Sequence, residues 1–214
     1  MTRLSYHPAF VNHNELEVVG LTTEMLASGI VYVHEILDGL DTQLLSANAF
    51  RISQMFELAN VSSMVGNLLG AGIANASNGN FKRNRPHKYP DLLAQTSQAH
   101  DVEIKIALET NKPKGHLAKP GYYLTCRYVL CDETGIYTRG KANRGNVIWI
   151  WEIRFGYLES EHFSLSNTQG DSGKTAVVNG VGMEQLKVIF CDLDRCPYSA
   201  RSAHFLRYNN LYKT

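Results

Sequence analysis

No long apolar run is present in the 214-residue chain. None of its stretches approaches the ~20 consecutive apolar residues that a bilayer-spanning helix needs, so an integral helical membrane protein is not expected. Met1 to Phe10 has no basic-then-apolar leader, which predicts a cytoplasmic chain. Net charge is nearly absent too, since 21 Lys and Arg against 20 Asp and Glu leave +1. That excludes a polycation working through bulk charge. A nucleic-acid surface would have to gather its basic residues on one side. No internal repeat or low-complexity tract is visible, so a repeat architecture is not expected.

Cysteine is scarce, at four residues. They fall as Cys126/Cys131 and Cys191/Cys196, two pairs of equal spacing, with His204 downstream. A structural zinc site would need all four side chains to converge. Cys126 and Cys131, however, lie in a strand-like run, where an odd separation sends them to opposite faces. Small buried hydrophobes are the alternative. Three short motifs are incomplete. Gly173-Lys174-Thr175 ends like a P-loop, but Thr168 stands where the upstream glycine should be. Gly135-Ile136-Tyr137 has no following Tyr-Ile-Gly, and His34-Glu35 leads to Asp38 where a zincin-type helix needs His.

What is there is 44% hydrophobic and 19% charged, the composition of a soluble globular protein whose length fits one domain, 1–214. Thr22 or Thr23 is placed to cap a helix running to Asp38 and stopped by Gly39. Asp41 then caps a second helix with apolar positions Leu44, Leu45, Ile52, Met55, Phe56 and Ala59. Ser62 or Ser63 starts a further helical piece through Leu69. The small and polar stretch 70–80 reads as a loop. The N-terminal third is thus helical and the middle sheet-rich. Gly121 to Cys131, apolar on both faces, predicts a central buried strand, and Val147 to Leu158 is the most strand-like run. Residues 159–174 read as loop, Asn179-Gly180 as a hairpin turn, and Leu186 to Phe190 as another apolar run.

The chemistry concentrates between Pro90 and Lys105. Pro90-Asp91 is separated by eleven residues from Glu103-Ile104-Lys105. Val102, Ile104, Ile106 and Leu108 alternate with Glu103, Lys105, Ala107 and Glu109, the period of a strand with one apolar face. Glu103 and Lys105 then share a face, their Cβ atoms roughly 6–7 Å apart. A hairpin return through 92–100 brings Asp91 beside Glu103. Two carboxylates can share a Mg²⁺ that binds substrate phosphate, and a Lys can serve an attacking water and offset transition-state charge. That is the chemistry of phosphodiester hydrolysis.

Pro90, Asp91, Glu103 and Lys105 resemble the motif of the PD-(D/E)xK nuclease superfamily, and the chain is most similar within it to a type II restriction endonuclease. The resemblance implies an α/β (α+β) restriction-endonuclease-like fold, a mixed five- or six-stranded sheet flanked by helices after an N-terminal helical segment. It implies Asp91, Glu103 and the Ile104 carbonyl as metal ligands and Lys105 as the residue serving water. It also allows a further acidic residue from an N-terminal helix, Glu35 or Glu57. A homodimer matching a palindromic double-stranded site is expected, with a cognate DNA methyltransferase in the same host. Around the motif, Phe81 to Lys88 carries four formal positive charges in eight residues. Lys82, Arg83 and Lys88 are candidate phosphate contacts. Lys112, Lys114 and His116 follow the catalytic Lys. Arg139, Lys141, Asn143 and Arg144 lie in the turn-rich segment 132–146, where Arg and Asn suit base edges. Further arginines, Arg195, Arg201 and Arg207, lie in the tail. A repair or junction-resolving nuclease of the same fold shares these residues. A non-catalytic nucleic-acid-binding domain, with Glu103–Lys105 as a surface ion pair, is the reading from another class.

Overall fold

The computed structural model describes residues 9–85, 88–115, 118–166 and 175–213. After one turn of helix, α1 (Asn14–Glu17), the Thr22 hydroxyl accepts the Met25 N–H at 3.3 Å and opens helix α2 (Thr23–Ser46). Gly39 does not end this helix. A glycine inside a helix costs only ~1 kcal/mol, whereas burying an apolar side chain such as Leu37 contributes about 1.5–3 kcal/mol. Leu37 is fully buried and Leu44, beyond the glycine, packs against the same core. Asp41 therefore sits inside α2 and caps no helix of its own. Its carboxylate instead accepts the Ile52 N–H at 2.9 Å and pairs with Arg51 at 3.3 Å, closing the start of α3 (Ile52–Met55) from across the turn.

Helix α4 (Leu58–Ala76) begins before the serines and runs through most of the stretch expected to be loop. The small residues there serve helix contact. A Cβ on Gly72 would stand 2.7 Å from Tyr32 Cβ and 2.9 Å from Gly29 Cα, so α2 and α4 approach at distances only glycine allows. Among the described residues no helix is long and apolar enough to cross a membrane.

The strands are β1 (Phe81–Arg83), β2 (Leu92–Ala94), β3 (Val102–Leu108), β4 (Lys114–Gly115), β5 (Gly121–Cys131), β6 (Val147–Leu158), β7 (Phe163–Ser166), β8 (Thr175–Val178) and, after α5 (Gly180–Gln185), β9 (Lys187–Cys191). Helix α6 (Ala203–Leu211) follows, capped by Ser202. A mixed six-stranded sheet has the order β1-β2-β3-β5-β6-β9, with β3 and β5 parallel and the other pairs antiparallel. The central strand expected at Gly121–Cys131 and the strong strand at Val147–Leu158 are both in it.

A second sheet, β4-β8-β7, includes Phe163–Ser166 from the stretch that read as loop. Asn179 turns no hairpin; its side chain accepts the Gly182 N–H at 2.9 Å and caps α5.

The two faces of the large sheet are covered differently. Ile104 and Ile106 pack under Gly70 and Gly66 of α4, inside the main core. The opposite face, carrying Glu103, Lys105, Tyr123, Thr125 and Arg127, lies under the small sheet, α5 and α6. The odd separation of Cys126 and Cys131 does split them: Cys126 joins the helix-side core and Cys131 the other. All four cysteines are buried, and none is in a disulfide.

Candidate active site

Strand β2 returns antiparallel to β3 with Leu92 opposite Val102, so Asp91, one residue earlier, falls beside Glu103 and Ile104. The Ile104 N–H donates to Asp91 Oδ2 at 2.9 Å, which fixes the carboxylate at the sheet edge. A strand residue's N–H and C=O leave on the same side, so the Ile104 carbonyl also points toward Asp91. On β3, the Lys105 ammonium donates to Glu103 Oε1. The hairpin expected to bring the two carboxylates together does so, and Lys105 joins them.

Glu103 is only 7% exposed, and burial pushes its carboxyl above the ordinary range. Lys105 opposes that rise, while the neighbouring Asp91 carboxylate adds to it. Its second oxygen, Oε2, is buried without a hydrogen-bond partner. An orphaned carboxylate oxygen beside a second carboxylate is suited to a divalent cation, which would favour the ionised form that burial disfavours. Asp91, Glu103 and the Ile104 carbonyl are hard oxygen donors of the type Mg²⁺ takes. The donors here are two carboxylates; among the described residues no group of three His, Cys, Asp or Glu side chains forms a metal cluster.

Three residues that motif reasoning did not single out complete the surroundings. Gly115 of β4 lies over Lys105: a Cβ there would stand 2.6 Å from Nζ and 2.7 Å from Cε. Because the clash is with the end of a flexible side chain, Gly115→Ala should leave the fold intact and displace the ammonium. We expect about tenfold or greater loss of turnover with unchanged melting temperature, to be checked by paired activity and thermal-melt measurements. Tyr123, opposite Glu103 in the β3–β5 register, donates to the Lys119 carbonyl at 2.7 Å. Tyr89 donates to the Pro120 carbonyl at 3.3 Å. Burial pushes both phenols up, so they stay protonated donors. A tyrosine flanking Pro90-Asp91 was the available signal; nothing local to Gly115 or Tyr123 marked them.

On the same sheet face, a buried network continues away from the site. Lys105 is opposite Thr125, Thr125 opposite Arg154, and Arg127 opposite Glu152. Glu152 is fully buried, with Arg154 Nε at 2.8 Å on Oε1, Arg127 Nη1 at 3.1 Å from Oε2, and the Tyr208 hydroxyl donating to Oε1. Burial alone would raise the Glu152 carboxyl, yet Arg127, Arg154 and the Tyr208 hydrogen bond outweigh it and hold it below its ordinary value.

Lys82, Lys88, Lys112, Lys114 and Lys141 are exposed. Arg83 donates to the backbone and side-chain carbonyls of Asn67. Arg139 is engaged by backbone carbonyls, Pro197 at 3.0 Å and Tyr198, and Asn143 donates to the Arg139 carbonyl at 2.8 Å. Arg144 makes a bidentate pair with Glu109 at 2.7 and 2.8 Å. His116 lies outside the described residues. Glu35 on α2 and Glu57 at the start of α4 are exposed, on elements that pack against the other side of the sheet. The site's electrostatic neighbours are Asp91 and Lys105 instead. No family model, no curated protein and no solved structure matches the chain.

Proposed function

We propose that the chain is a Mg²⁺-dependent DNA endonuclease with a restriction-endonuclease-like fold, hydrolysing phosphodiester bonds. The observation that carries this reading is the convergence of Asp91, Glu103 and Lys105, with Glu103 Oε2 buried and unpartnered. Asp91 and Glu103, with the Ile104 carbonyl, would hold the ion. When bound, it polarises the scissile phosphate and lowers the pKa of a coordinated water. Lys105, held against Glu103, orients a water at that carboxylate and places positive charge where the transition state gains negative charge. The Ile104 N–H keeps Asp91 from rotating away. The small sheet above Lys105 limits bulk water at the ammonium.

Site-specific cleavage by a homodimer, with a partner methyltransferase protecting the host, belongs to this proposal. One observation favours a second reading, a repair or junction-resolving nuclease that recognises DNA shape. The side chains of Arg139 and Arg144, best suited to reading base edges, are already engaged within the chain. Incubation in Mg²⁺ with plasmid and genomic DNA, and with branched or damaged duplexes, separates the two. Discrete fragments mean site specificity, and nicking at branched or damaged substrates means shape recognition.

Calcium should support DNA binding but cleave poorly. It takes the same oxygen ligands at about 2.3–2.6 Å instead of the 2.0–2.1 Å of Mg²⁺, and activates water less. Gel-shift and cleavage assays in each ion check this; full turnover in Ca²⁺ would contradict the site as described.

A further inference from the structure

At the end of the large sheet where β3 and β5 begin, a cleft of about 450 Å³ opens next to Pro90 and Tyr89, the residues that precede Asp91. Its lining includes the aromatic side chains of Tyr89, Tyr122 and His100 together with Ala94, Ala99, Pro120 and Gly121. His100 and Tyr122 lie with ring centroids 5.5 Å apart, and Tyr122 is backed by Phe155 in a stacked arrangement at 5.9 Å. Lys119 Nζ stands 4.5 Å from the Tyr89 ring centroid, and Lys88 precedes Tyr89 as an exposed cation. Gly121 makes room for the Tyr89 phenol, since a Cβ there would come within 2.6 Å of it. Pro90 lines the cleft and Asp91 is the next residue, about 3.8 Å away along the chain. Nothing in the mechanism above uses these aromatic surfaces.

We propose that this cleft receives one unpaired nucleobase of the DNA strand whose phosphate meets Asp91 and Glu103. Its volume lies in the range of small-molecule sites, roughly 300–1,000 Å³, far too small for a duplex and suited to a single nucleotide. Aromatic faces beside ammonium groups are how proteins hold single strands, by stacking bases and neutralising the backbone. Asp101 and His100 are exposed polar residues of the lining; Asp101 Oδ1 accepts the Ala94 N–H at 2.8 Å, which leaves its other oxygen and the imidazole for a base edge. Taking one base out of the helix breaks its stacking and pairing, a cost least where it is already unpaired. Mismatched, looped or single-stranded positions are therefore the preferred substrates. This inference rests on the nuclease reading for the identity of the strand, and it names which part of the substrate the site selects.

The test uses a short single-stranded oligonucleotide carrying one 5-iodouracil, bound to the full chain in EDTA so that no cleavage enters the readout. Irradiation crosslinks that base to an aromatic ring stacked on it, and peptide mapping finds the ring. We expect crosslinks at Tyr89, His100 or Tyr122, and lower yield from the same base in a fully paired duplex. Ala94→Phe, which fills the cleft, should weaken single-strand binding about tenfold and abolish the crosslink. His100→Ala, a change at an exposed residue, should lower the yield with an unchanged melting curve and stands in should Ala94→Phe fail to fold. Absence of single-strand binding, crosslinks mapping only elsewhere, or a folded Ala94→Phe that binds like the unmodified chain would each overturn the proposal. Cleavage in Mg²⁺ is scored separately. A chain that cuts DNA without these crosslinks loses the cleft and keeps the nuclease reading, whereas crosslinks without cutting do the reverse.

Discussion

Lys105→Ala is expected to lower DNA cleavage by about 10²–10⁴-fold, the range typical of removing a group that acts on the reacting proton or charge. DNA binding in Ca²⁺ should change little, because the role proposed for the ammonium is in the chemical step more than in docking. The site geometry gives the reason. Lys105 sits on the face of β3 shared with Glu103, donates to that carboxylate, and is confined by Gly115 above it. Its removal leaves Glu103 buried with neither oxygen bonded to the ammonium, so the carboxyl pKa should rise further. Part of the lost activity should return at higher pH as Glu103 ionises, an effect a purely structural role for Lys105 would not produce. Single-turnover rates across pH for the two proteins measure both effects. Equal rates would remove Lys105 from the mechanism.

Glu152→Gln should destabilise the fold by about 3–5 kcal/mol at neutral pH, the usual cost of breaking a buried ion pair by removing one partner. Arg127 and Arg154 would then be buried facing a neutral amide, with Arg127 already short of partners at Nε. The pH dependence has a definite sign. The folded-state carboxyl lies below its ordinary value near 4.5, so its stabilisation is fully present above that value. It is lost as pH falls through the lower folded value. The difference between wild type and Glu152→Gln should therefore be largest at neutral pH and shrink in acid. Urea melts at several pH values measure it. A difference that grows in acid would mean that the carboxylate is not the ionised partner of the two arginines.

The strands and the motif were legible because their signal is local. Period-2 alternation marks Val102 to Leu108, and both long buried strands announce themselves by continuous apolar sequence. The helices were harder, since their ends were read from single residues. Gly39 and the 70–80 stretch look like breakers by composition, but packing between α2 and α4 overrides that preference, and Gly72 is required by the closeness of Gly29 and Tyr32. Asp41 looks like a cap and is one, for a helix eleven residues further on. The small sheet escaped notice because two-residue and four-residue strands carry too little pattern to register. In the candidate site, the grouping of Asp91, Glu103 and Lys105 was expected from strand alternation and the hairpin return. Gly115 and Glu152 could not be anticipated in this way, because their roles come from a strand laid over β3 and from the β5–β6 register. Arg139 and Arg144 show the converse: side chains chemically apt for bases have partners inside the fold that no local pattern announces.

The most direct measurement is cleavage of supercoiled plasmid by the purified chain and by Asp91→Ala, side by side, in Mg²⁺ and in EDTA. Asp91 is the partly buried carboxylate, held by the Ile104 N–H, and its loss removes one of the two proposed carboxylate ligands without burying a new charge. The expected result is conversion to nicked or linear DNA by the wild type in Mg²⁺ alone, and none by Asp91→Ala in either condition. Intact plasmid with the wild type in Mg²⁺, or equal cleavage by both proteins, would contradict a nuclease built on Asp91, Glu103 and Lys105.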